Sequence, residues 1–448
     1  MCAEHAMSLN PHIAKATVVG AFGGLLFGFD TAVISGTTAA LTATYHLSPF
    51  MLGVTVFSAL AGTVIAAILA GIPAQRYGRR DTLRIMALLY IISALGCAFA
   101  WSWSALIIFR FIGGLAIGGS SVIGPMYIAE IAPPDWRGRL VGFFQVNVVV
   151  GILLAYMSNA LLGAMHLGAD QWRWQLGVSG IPALLFLVTL YFIPRSPRWL
   201  VMKNKLDEAL EVLKLTGTDQ PKQELDEIIA FVHQERASSS DSLWALKYRK
   251  PVLLALTVGM FCQLSGINAI LYYLNEIFAL AGASSMSGNL QAIAVGATNL
   301  VATLVAMSVI DKFGRKKLLL IGTAGLAFCL AAITVIFFTH QHMNWLIWLL
   351  MIYIALFAIS QGAVVWVYIS EVFPTQVRAK GQSLGSLSHW VTNAVIVYSF
   401  PVIASYSKGG PFVFFSAMMI VQFIVVLTMY PETKGIKLED MQARIAVH

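Results

Sequence analysis

Long apolar runs, separated by short clusters of charged residues, repeat along almost the whole chain. A helix needs about 20 mostly apolar residues to cross the hydrocarbon core of a bilayer. The runs of the first half predict crossings at 16–36, 50–72, 85–102, 104–132, 139–164 and 174–194. Those of the second half predict crossings at 251–279, 288–310, 318–338, 344–371, 380–405 and 410–430. The pattern therefore predicts an all-α membrane protein with twelve transmembrane helices in two six-helix halves.

Polar segments divide this pattern into five parts. The parts are 1–15, 16–194, 195–250, 251–430 and 431–448. In the segment that joins the halves, Leu206, Leu210 and Leu213 recur at helical spacing. Asp207 and Glu208 lie in the first turn of this pattern, where acidic residues favour a helix start. We expect short amphipathic helices there, beneath the cytoplasmic face, and a plain linker is the alternative.

The distribution of charge orients the predicted helices. Only 11% of the residues are charged, against roughly 25% in soluble domains, so most of the surface has to face lipid. Of the 29 lysines and arginines, all but Arg110, Arg173 and Lys408 fall in the terminal segments and in one set of alternate loops. Positive loops mark the cytoplasmic side, so both termini are predicted to be cytoplasmic. The net charge of +8 then reflects topology rather than binding to nucleic acid.

Several kinds of chemistry find no support in the sequence. The four cysteines, Cys2, Cys97, Cys262 and Cys329, show neither disulfide pairing nor metal-ligand spacing. No Gly-Lys dipeptide occurs, so the usual ATP-binding phosphate loop is missing. The polar N-terminus also lacks the apolar core of a cleaved signal peptide. We therefore predict no enzyme activity, no metal site and no cofactor.

The two halves carry matching motifs, which indicates an internal duplication. Gly78-Arg-Arg follows the second predicted helix and Gly314-Arg-Lys follows the eighth. A second motif, a glutamate with an arginine seven positions after it, lies at the end of the fourth predicted helix and again at the end of the tenth. Duplicated halves predict a substrate site between them near mid-membrane. Arginines beside helix ends and acids can also hold the two helix bundles together on one side, although setting topology is the simpler role. The predicted cytoplasmic gate comprises Arg79, Glu130, Arg137, Arg315, Glu371 and Arg378.

Four loop and helix motifs resemble one known family. They are Gly78-Arg-Arg80, Pro194-Arg-Ser-Pro-Arg-Trp-Leu200, Gln263-Leu-Ser-Gly-Ile-Asn268 and Pro431-Glu-Thr-Lys-Gly435. In this order and in these loops they resemble the sugar porter family of the major facilitator superfamily. The resemblance covers the chain from Gly23 to Gly435. It implies a twelve-helix transporter that moves a monosaccharide, a hexose or a pentose, by alternating access.

A sugar site calls for particular side chains. Sugar hydroxyls both donate and accept hydrogen bonds and the ring has apolar C–H faces, so amides and aromatic rings are the expected ligands. Such groups inside the membrane are costly without partners, although isolated ones also serve helix packing or interface anchoring. The predicted substrate-binding residues are Gln145, Gln263, Asn268, Asn299, Trp366, His389, Trp390 and Asn393. The resemblance implies sugar contacts for all of these except His389 and Asn393.

Gln263 and Asn268 cannot point to one place from a regular helix. They are five residues apart, which corresponds to about 140° of rotation beyond a full turn. Gly266 lies between them and predicts a local unwinding that would let both side chains face the same site.

The chain departs from the family pattern at five positions that bear on function. Cys262 and His389 stand where relatives often have amides, Ile152 replaces a glutamine of some symporters, and Ala363 replaces a proline. Arg195 stands where relatives usually have glutamate in the motif after the sixth helix. These differences leave the identity of the sugar open.

Two formal charges lie well inside the predicted helices: Asp30 in the first and Arg110 in the fourth. An unpaired charge at mid-membrane costs from ~3 to over 10 kcal/mol, so we expect the two to pair. Arg110 stays protonated, whereas Asp30 can take up a proton when the pair separates. In the family, proton symporters tend to carry aspartate here and facilitators asparagine. We therefore predict that Asp30 and Arg110 couple sugar movement to protons; a static ion pair is the alternative.

The predicted function is thus proton-coupled symport of a monosaccharide. The alternatives are an uncoupled sugar facilitator, a transporter-like sugar sensor, and a carrier of a polyol or an organic acid. The expected partners are the sugar, a proton and the lipid bilayer, with no nucleic acid, and the expected state is a monomer. The chain has no Asn-x-Ser/Thr sequon, which favours a bacterial inner membrane over an animal plasma membrane.

Overall fold

Helices are the only regular structure in the described part of the protein. The computed structural model describes residues 10–133, 136–218, 220–237, 242–282, 285–373 and 377–434. Helices satisfy every backbone donor and acceptor internally, which is what a chain in lipid requires. Within these ranges, 11 helical segments are long and apolar enough to cross a membrane. Of the predicted terminal segments 1–15 and 431–448, residues 1–9 and 435–448 lie outside the described residues.

Nine α-helices form the first half. They are α1 (Pro11–Val33), α2 (Thr38–Tyr45), α3 (Pro49–Leu69), α4 (Gly71–Tyr77), α5 (Arg79–Ala98), α6 (Trp103–Ile131), α7 (Arg137–Ala164), α8 (Gln171–Gly177) and α9 (Gly180–Thr189). The joining segment contains α10 (Pro197–Met202), α11 (Leu206–Leu215) and α12 (Pro221–Ala237). The second half contains α13 (Arg249–Leu264), α14 (Ile267–Tyr272), α15 (Leu274–Leu280), α16 (Ser285–Phe313), α17 (Arg315–Thr339), α18 (Leu346–Phe357), α19 (Ala363–Glu371), α20 (Arg378–Tyr406) and α21 (Gly410–Met429).

Three of the predicted crossings are interrupted. The sixth consists of α8 and α9, which meet at Val178 and Ser179 with the backbone still in the α region, so the direction of the chain is kept. The seventh breaks at Gly266 and again at Tyr273. The tenth contains a π-helical turn, Ala358–Gly362, between α18 and α19. The prediction of an all-α membrane protein with twelve crossings is confirmed.

Glycine lets the helices of the first half come into backbone contact. A Cβ on Gly28 of α1 would lie 1.8 Å from the Val148 carbonyl oxygen of α7. A Cβ on Gly114 of α6 would lie 1.9 Å from the Ala59 carbonyl oxygen of α3. Lipid tails are as apolar as leucine, so the hydrophobic effect does not drive helices together inside a membrane. Close packing through small residues holds them together instead. These two close helix–helix contacts, α1 with α7 and α6 with α3, therefore fix the positions of the helices that carry Asp30 and Arg110.

Apolar side chains cover the outside of the helix bundle. Phe328 is 73% exposed, Ile181 69% and Val301 62%, and each belongs to a helix of a predicted crossing. A soluble monomer rarely exposes apolar surface of this extent. This outer surface is therefore the one that faces lipid.

The three helices of the joining segment pack against the end of the first half. Trp199, Leu200 and Val201 of α10 form an apolar cluster with Ala209 of α11 and Val232 of α12. The indole nitrogen of Trp199 also donates a hydrogen bond of 3.1 Å to the Gln75 carbonyl. The segment is thus a small folded unit attached to the first half, on the face of the molecule where that half ends.

Candidate functional site

The break at Gly266 shapes the centre of the second half. Gly266 has φ +84°, and a Cβ there would meet the Phe415 ring at 2.3 Å, so glycine is required for both conformation and space. Helix α13 ends before it at Leu264, and the Ser265 carbonyl that the break frees accepts a hydrogen bond of 2.8 Å from the Tyr353 hydroxyl. The local unwinding predicted between Gln263 and Asn268 is therefore present.

Five predicted substrate-binding residues form an amide–aromatic cluster on α13, α19 and α20. Gln263 Nε2 lies 2.8 Å from His389 Nε2, and the rings of Trp366 and Trp390 have their centres 4.9 Å and 5.4 Å from that of His389. Asn393 follows His389 by one helical turn on α20. The amide–aromatic cluster is thus made of Gln263, Trp366, His389, Trp390 and Asn393.

Much of the hydrogen-bonding capacity of this cluster is unused. Among the described residues, Gln263 Oε1, His389 Nδ1 and both amide atoms of Asn393 are buried without a partner. Trp366, in contrast, is 40% exposed although it lies in a membrane helix. Buried polar atoms are normally paired, so unpaired ones beside an accessible indole indicate a place for a polar ligand.

The three other predicted substrate-binding residues lie on α7, α14 and α16. Gln145 and Asn268 are partly buried on α7 and α14, and Asn299 is 7% exposed on α16. In the part of the chain that the structure describes, no hydrogen bond links them to the amide–aromatic cluster. Their sugar contacts stay a prediction.

Asp30 and Arg110 lie together, as the sequence predicts. Arg110 Nη2 is 3.6 Å from Asp30 Oδ2, which is an ion pair but longer than a good hydrogen bond. Arg110 Nε donates to the Thr55 carbonyl at 3.1 Å, so the guanidinium is anchored on α3. The Arg110 side chain is 1% exposed and that of Asp30 22%, so the guanidinium is the more deeply buried partner.

Phe27 connects this ion pair to the amide–aromatic cluster. Its ring centre lies 5.4 Å from that of Trp390, across the boundary between the halves. Phe27 precedes Asp30 by three residues on α1, and residues at this spacing share a helix face. The sequence analysis missed Phe27 and Thr55, and only this helical spacing from Asp30 could have pointed to Phe27.

The predicted gate residues of the first half form a compact unit. Arg79 donates to Glu130 Oε1 from Nε at 3.1 Å and from Nη2 at 2.7 Å. The Ser196 hydroxyl donates to the other oxygen of Glu130 at 2.5 Å. The carboxylate of α6 is thereby tied to the start of α5 and to the segment before α10.

The second half repeats this arrangement with a different set of side chains. Arg315 Nη2 donates to Glu371 Oε1 at 2.9 Å, and the Thr433 hydroxyl donates to Glu371 Oε2 at 2.6 Å. Ser196 and Thr433 occupy the same place in two related motifs, each two residues after a proline, and the sequence analysis overlooked both. The internal duplication thus extends to the hydroxyl partner of each glutamate.

The two ion pairs of the predicted gate each join helices of one half: Arg79 with Glu130, and Arg315 with Glu371. Arg137 lines a cavity of about 820 Å³ together with Glu130, Glu224 and Glu227, and Arg378 Nε donates to the Phe373 carbonyl at 3.3 Å. The six predicted residues therefore lie in two separate groups.

Glu130→Gln is expected to lower the stability of the protein by about 3 kcal/mol, because it leaves the buried Arg79 guanidinium without its counter-charge. The side chains of this pair are only 8% and 6% exposed. The midpoint of thermal unfolding in detergent measures the effect. The control is Glu211→Gln on the exposed face of α11, which is expected to change the midpoint very little. Equal shifts for the two variants would contradict a structural role for the buried pair.

Comparisons with known proteins extend over nearly the whole chain. A family model described as "Sugar (and other) transporter" matches residues 16–444. The D-xylose-proton symporter of Escherichia coli (strain K12) is 35% identical over 97% of this chain and 96% of its own. The arabinose-proton symporter of Bacillus subtilis (strain 168) is 36% identical over 94% of this chain and 92% of its own.

Solved structures agree with these sequence matches. The xylose transporter XylE from E. coli in a partially occluded inward open conformation superimposes with a TM-score of 0.85 at 34% identity, covering 95% of this chain and 99% of that one. The same symporter bound to 6-bromo-6-deoxy-D-glucose gives a TM-score of 0.80 at 34% identity, covering 98% and 100%. The chain is therefore similar to these proteins in both sequence and fold.

Proposed function

Because this chain belongs to the sugar transporter family, we propose that it carries a monosaccharide across a bacterial inner membrane in symport with a proton. The matched relatives are transporters rather than enzymes, and the family resemblance of the four motifs is confirmed. The observation that carries the proposal is the amide–aromatic cluster, with its unpaired polar atoms beside an accessible indole. The names of the relatives favour a pentose such as xylose or arabinose as the first sugar to test.

The amide–aromatic cluster offers what a sugar needs. When Gln263 Nε2 donates to His389 Nε2, the neutral imidazole carries its proton on Nδ1 and becomes a free donor. Gln263 Oε1 remains a free acceptor, and Asn393 adds two donors and an acceptor. Trp366 supplies an apolar face for the C–H side of the ring. Hydroxyls that both donate and accept would satisfy these atoms, whereas a purely apolar ligand would leave them unpaired.

The Asp30–Arg110 pair supports coupling to a proton. Burial disfavours the charged carboxylate and the neighbouring guanidinium favours it, so a small change in their separation decides whether Asp30 holds a proton. Protonation removes the cost of pulling the pair apart inside the membrane. Movement of α1 would then reach the sugar site through the contact between Phe27 and Trp390. The two ligands are thereby linked, and each raises the affinity of the other by the same factor.

We infer that the structure represents an inward-open state with both termini in the cytoplasm. Each gate ion pair lies within its own half, so neither of these two pairs ties the halves together on the face next to the joining segment. Towards the opposite face the halves remain in contact: the Tyr156 hydroxyl donates to the Leu271 carbonyl at 3.0 Å, and the rings of Phe57 and Tyr398 are 5.7 Å apart. A solved relative that superimposes well is also inward open. In an outward-open state we expect the gate residues of the two halves to contact each other.

We also propose that the protein works as a monomer.

Uptake by purified protein in liposomes tests the function directly. A panel of labelled pentoses and hexoses would be offered with and without an inward proton gradient, and counterflow would be measured without one. Accumulation of one sugar only when the gradient is present supports symport. Equilibration of the sugar regardless of the gradient would show an uncoupled facilitator, and no movement of any sugar would overturn the proposal.

Gln263→Ala is expected to weaken sugar binding roughly tenfold or more, because it removes both a direct hydrogen bond and the partner that orients His389. The measurement is the half-saturating sugar concentration in counterflow. Gln291→Ala is the matched control, since this partly buried amide on α16 donates to the Ser287 hydroxyl and does not belong to the amide–aromatic cluster. A similar loss in both variants would point to general destabilisation instead of sugar contact.

A further inference from the structure

The internal duplication makes Glu432 and Arg195 equivalent positions. Each follows the proline that closes its half and precedes the hydroxyl residue bound to the gate glutamate. Glu432 accepts hydrogen bonds from the backbone N–H groups of Arg315 at 2.9 Å and Lys316 at 3.2 Å. A carboxylate therefore compensates the positive end of α17.

The first half meets the positive end of its helix differently, with Asp81 in the first turn of α5 as the nearby acid. Helix α5 begins at Arg79 without a side-chain cap, and the equivalent position holds a guanidinium instead of a carboxylate. Arg195 instead reaches Asp81, with Nη2 3.0 Å from Oδ2. A positive side chain thus stands where the other half has a negative one.

Three arginines share one carboxylate at this end of α5. Asp81 lies 3.3 Å from Arg80, 2.7 Å from Arg84 and 3.0 Å from Arg195, and we call these four residues the arginine cluster. The next acid, Glu208, is 3.8 Å from Arg195 and already binds Lys205 at 2.6 Å. Among the described residues, Nε of Arg84 and Nε of Arg195 are buried without an acceptor. The arginine cluster therefore has more donors and positive charge than its carboxylates can satisfy.

The arginine cluster lies beside aromatic side chains on the outer surface of the bundle. Tyr191 is 62% exposed and Phe192 63%, directly after α9. The Arg84 guanidinium lies 4.0 Å from the centre of the Tyr191 ring, and Lys15 Nζ lies 5.2 Å from that of Phe192. Exposed aromatics flanked by basic residues mark the headgroup level of a bilayer. The surplus positive charge is thus presented to lipid headgroups on the face that carries the joining segment.

We propose that the arginine cluster binds the phosphate of an anionic phospholipid in the leaflet on this face. The phosphate supplies a counter-charge for the partly exposed guanidinium groups of Arg84 and Arg195, beyond the single charge of Asp81, near the start of α5. A membrane lipid is the occupant that fits the flanking Tyr191 and Phe192, because these rings extend the site into the apolar region.

Native mass spectrometry of the purified protein in mixed micelles with phosphatidylglycerol and phosphatidylethanolamine tests this site. Wild type is expected to retain phosphatidylglycerol preferentially. Each arginine near an anionic surface contributes about fivefold to binding, so Arg195→Gln and Arg84→Gln are each expected to reduce that preference about fivefold. Lys408→Gln removes the same charge from the opposite face of the chain and is expected to leave it unchanged.

Two further measurements keep the outcome clear. Increasing the salt concentration is expected to abolish the lipid preference of wild type, because the interaction is electrostatic and lies at the surface. This measurement uses no variant, so it does not depend on whether a variant folds correctly. Unchanged retention in both arginine variants would overturn the proposal, as would a preference that Lys408→Gln lowers equally. Displacement of the lipid by millimolar inorganic phosphate would identify a soluble ion as the ligand and would also overturn it. None of these readouts depends on which sugar the protein transports.

Discussion

An Asp30→Asn variant is expected to exchange labelled sugar across the membrane and to lose all accumulation driven by a proton gradient. Asparagine is nearly the same size as aspartate and can stay beside Arg110, but it cannot take up a proton. The side chain at position 30 is then always uncharged, as a protonated aspartate is. Movement of α1 therefore no longer requires a proton. Counterflow without a gradient and uptake with one, both in liposomes, separate the two properties.

The same amide substitution at an exposed ion pair provides the control. Asp170 binds Arg173 at 2.9 Å, and its side chain is 71% exposed, so Asp170→Asn is expected to preserve both accumulation and counterflow. If Asp30→Asn still accumulates sugar, the pair with Arg110 serves helix packing and the proton travels elsewhere. If it loses counterflow as well, Asp30 is needed for the conformational cycle itself and coupling would have to be tested by proton flux.

Gly266→Ala is expected to lower stability by about 2–5 kcal/mol and to abolish sugar binding. Alanine in the left-handed conformation costs roughly 1–2 kcal/mol, and overpacking typically adds 1–3 kcal/mol. Here the added Cβ would meet the Phe415 ring at 2.3 Å. Relief of this clash would shift α13 against α14 and misplace Gln263. Thermal unfolding in detergent and equilibrium binding of the transported sugar measure the two effects.

Gly282→Ala separates conformational strain from the clash. Gly282 has φ +90°, but a Cβ there would have nothing within 4 Å. This variant is expected to lose only the conformational part, about 1–2 kcal/mol, and to bind sugar normally. Equal losses in the two variants would show that the Phe415 contact has no influence on the site.

The sequence predicted best those features that depend on local composition. Twelve apolar runs predicted the crossings, and the cost of isolated charge predicted the contact between Asp30 and Arg110. Gly266 predicted the break in the seventh crossing because glycine, without a Cβ, adopts the left-handed conformation most easily. In contrast, no glycine or proline in the sequence marks the second break at Tyr273, and the π-helical turn at 358–362 was not predicted.

The candidate site shows the same division. Residue types suited to sugar could be chosen from the sequence, but which of them meet depends on the relative position of the halves. His389 therefore lies against Gln263, whereas Asn299 lies on another helix without a bond to either. The gate residues illustrate the point further: Arg79 and Arg315 could be named from their motifs, but an alternating transporter changes their partners during its cycle.

The π-helical turn before Trp366 has a consequence for how this side chain can evolve. Such a turn holds one more residue than an α-helical turn, so α19 is rotated by about 100° relative to a continuous helix from α18. The orientation of Trp366 therefore depends on how many residues the turn contains as well as on which residues they are. Loss of a single residue between Ala358 and Gly362 would restore a regular helix and leave the indole facing its present neighbours, because the deletion removes the 100° that the extra residue would otherwise add. A substitution that straightens the turn without removing a residue would instead rotate Trp366 by about 100°, so residues of this turn can change the site from outside the amide–aromatic cluster.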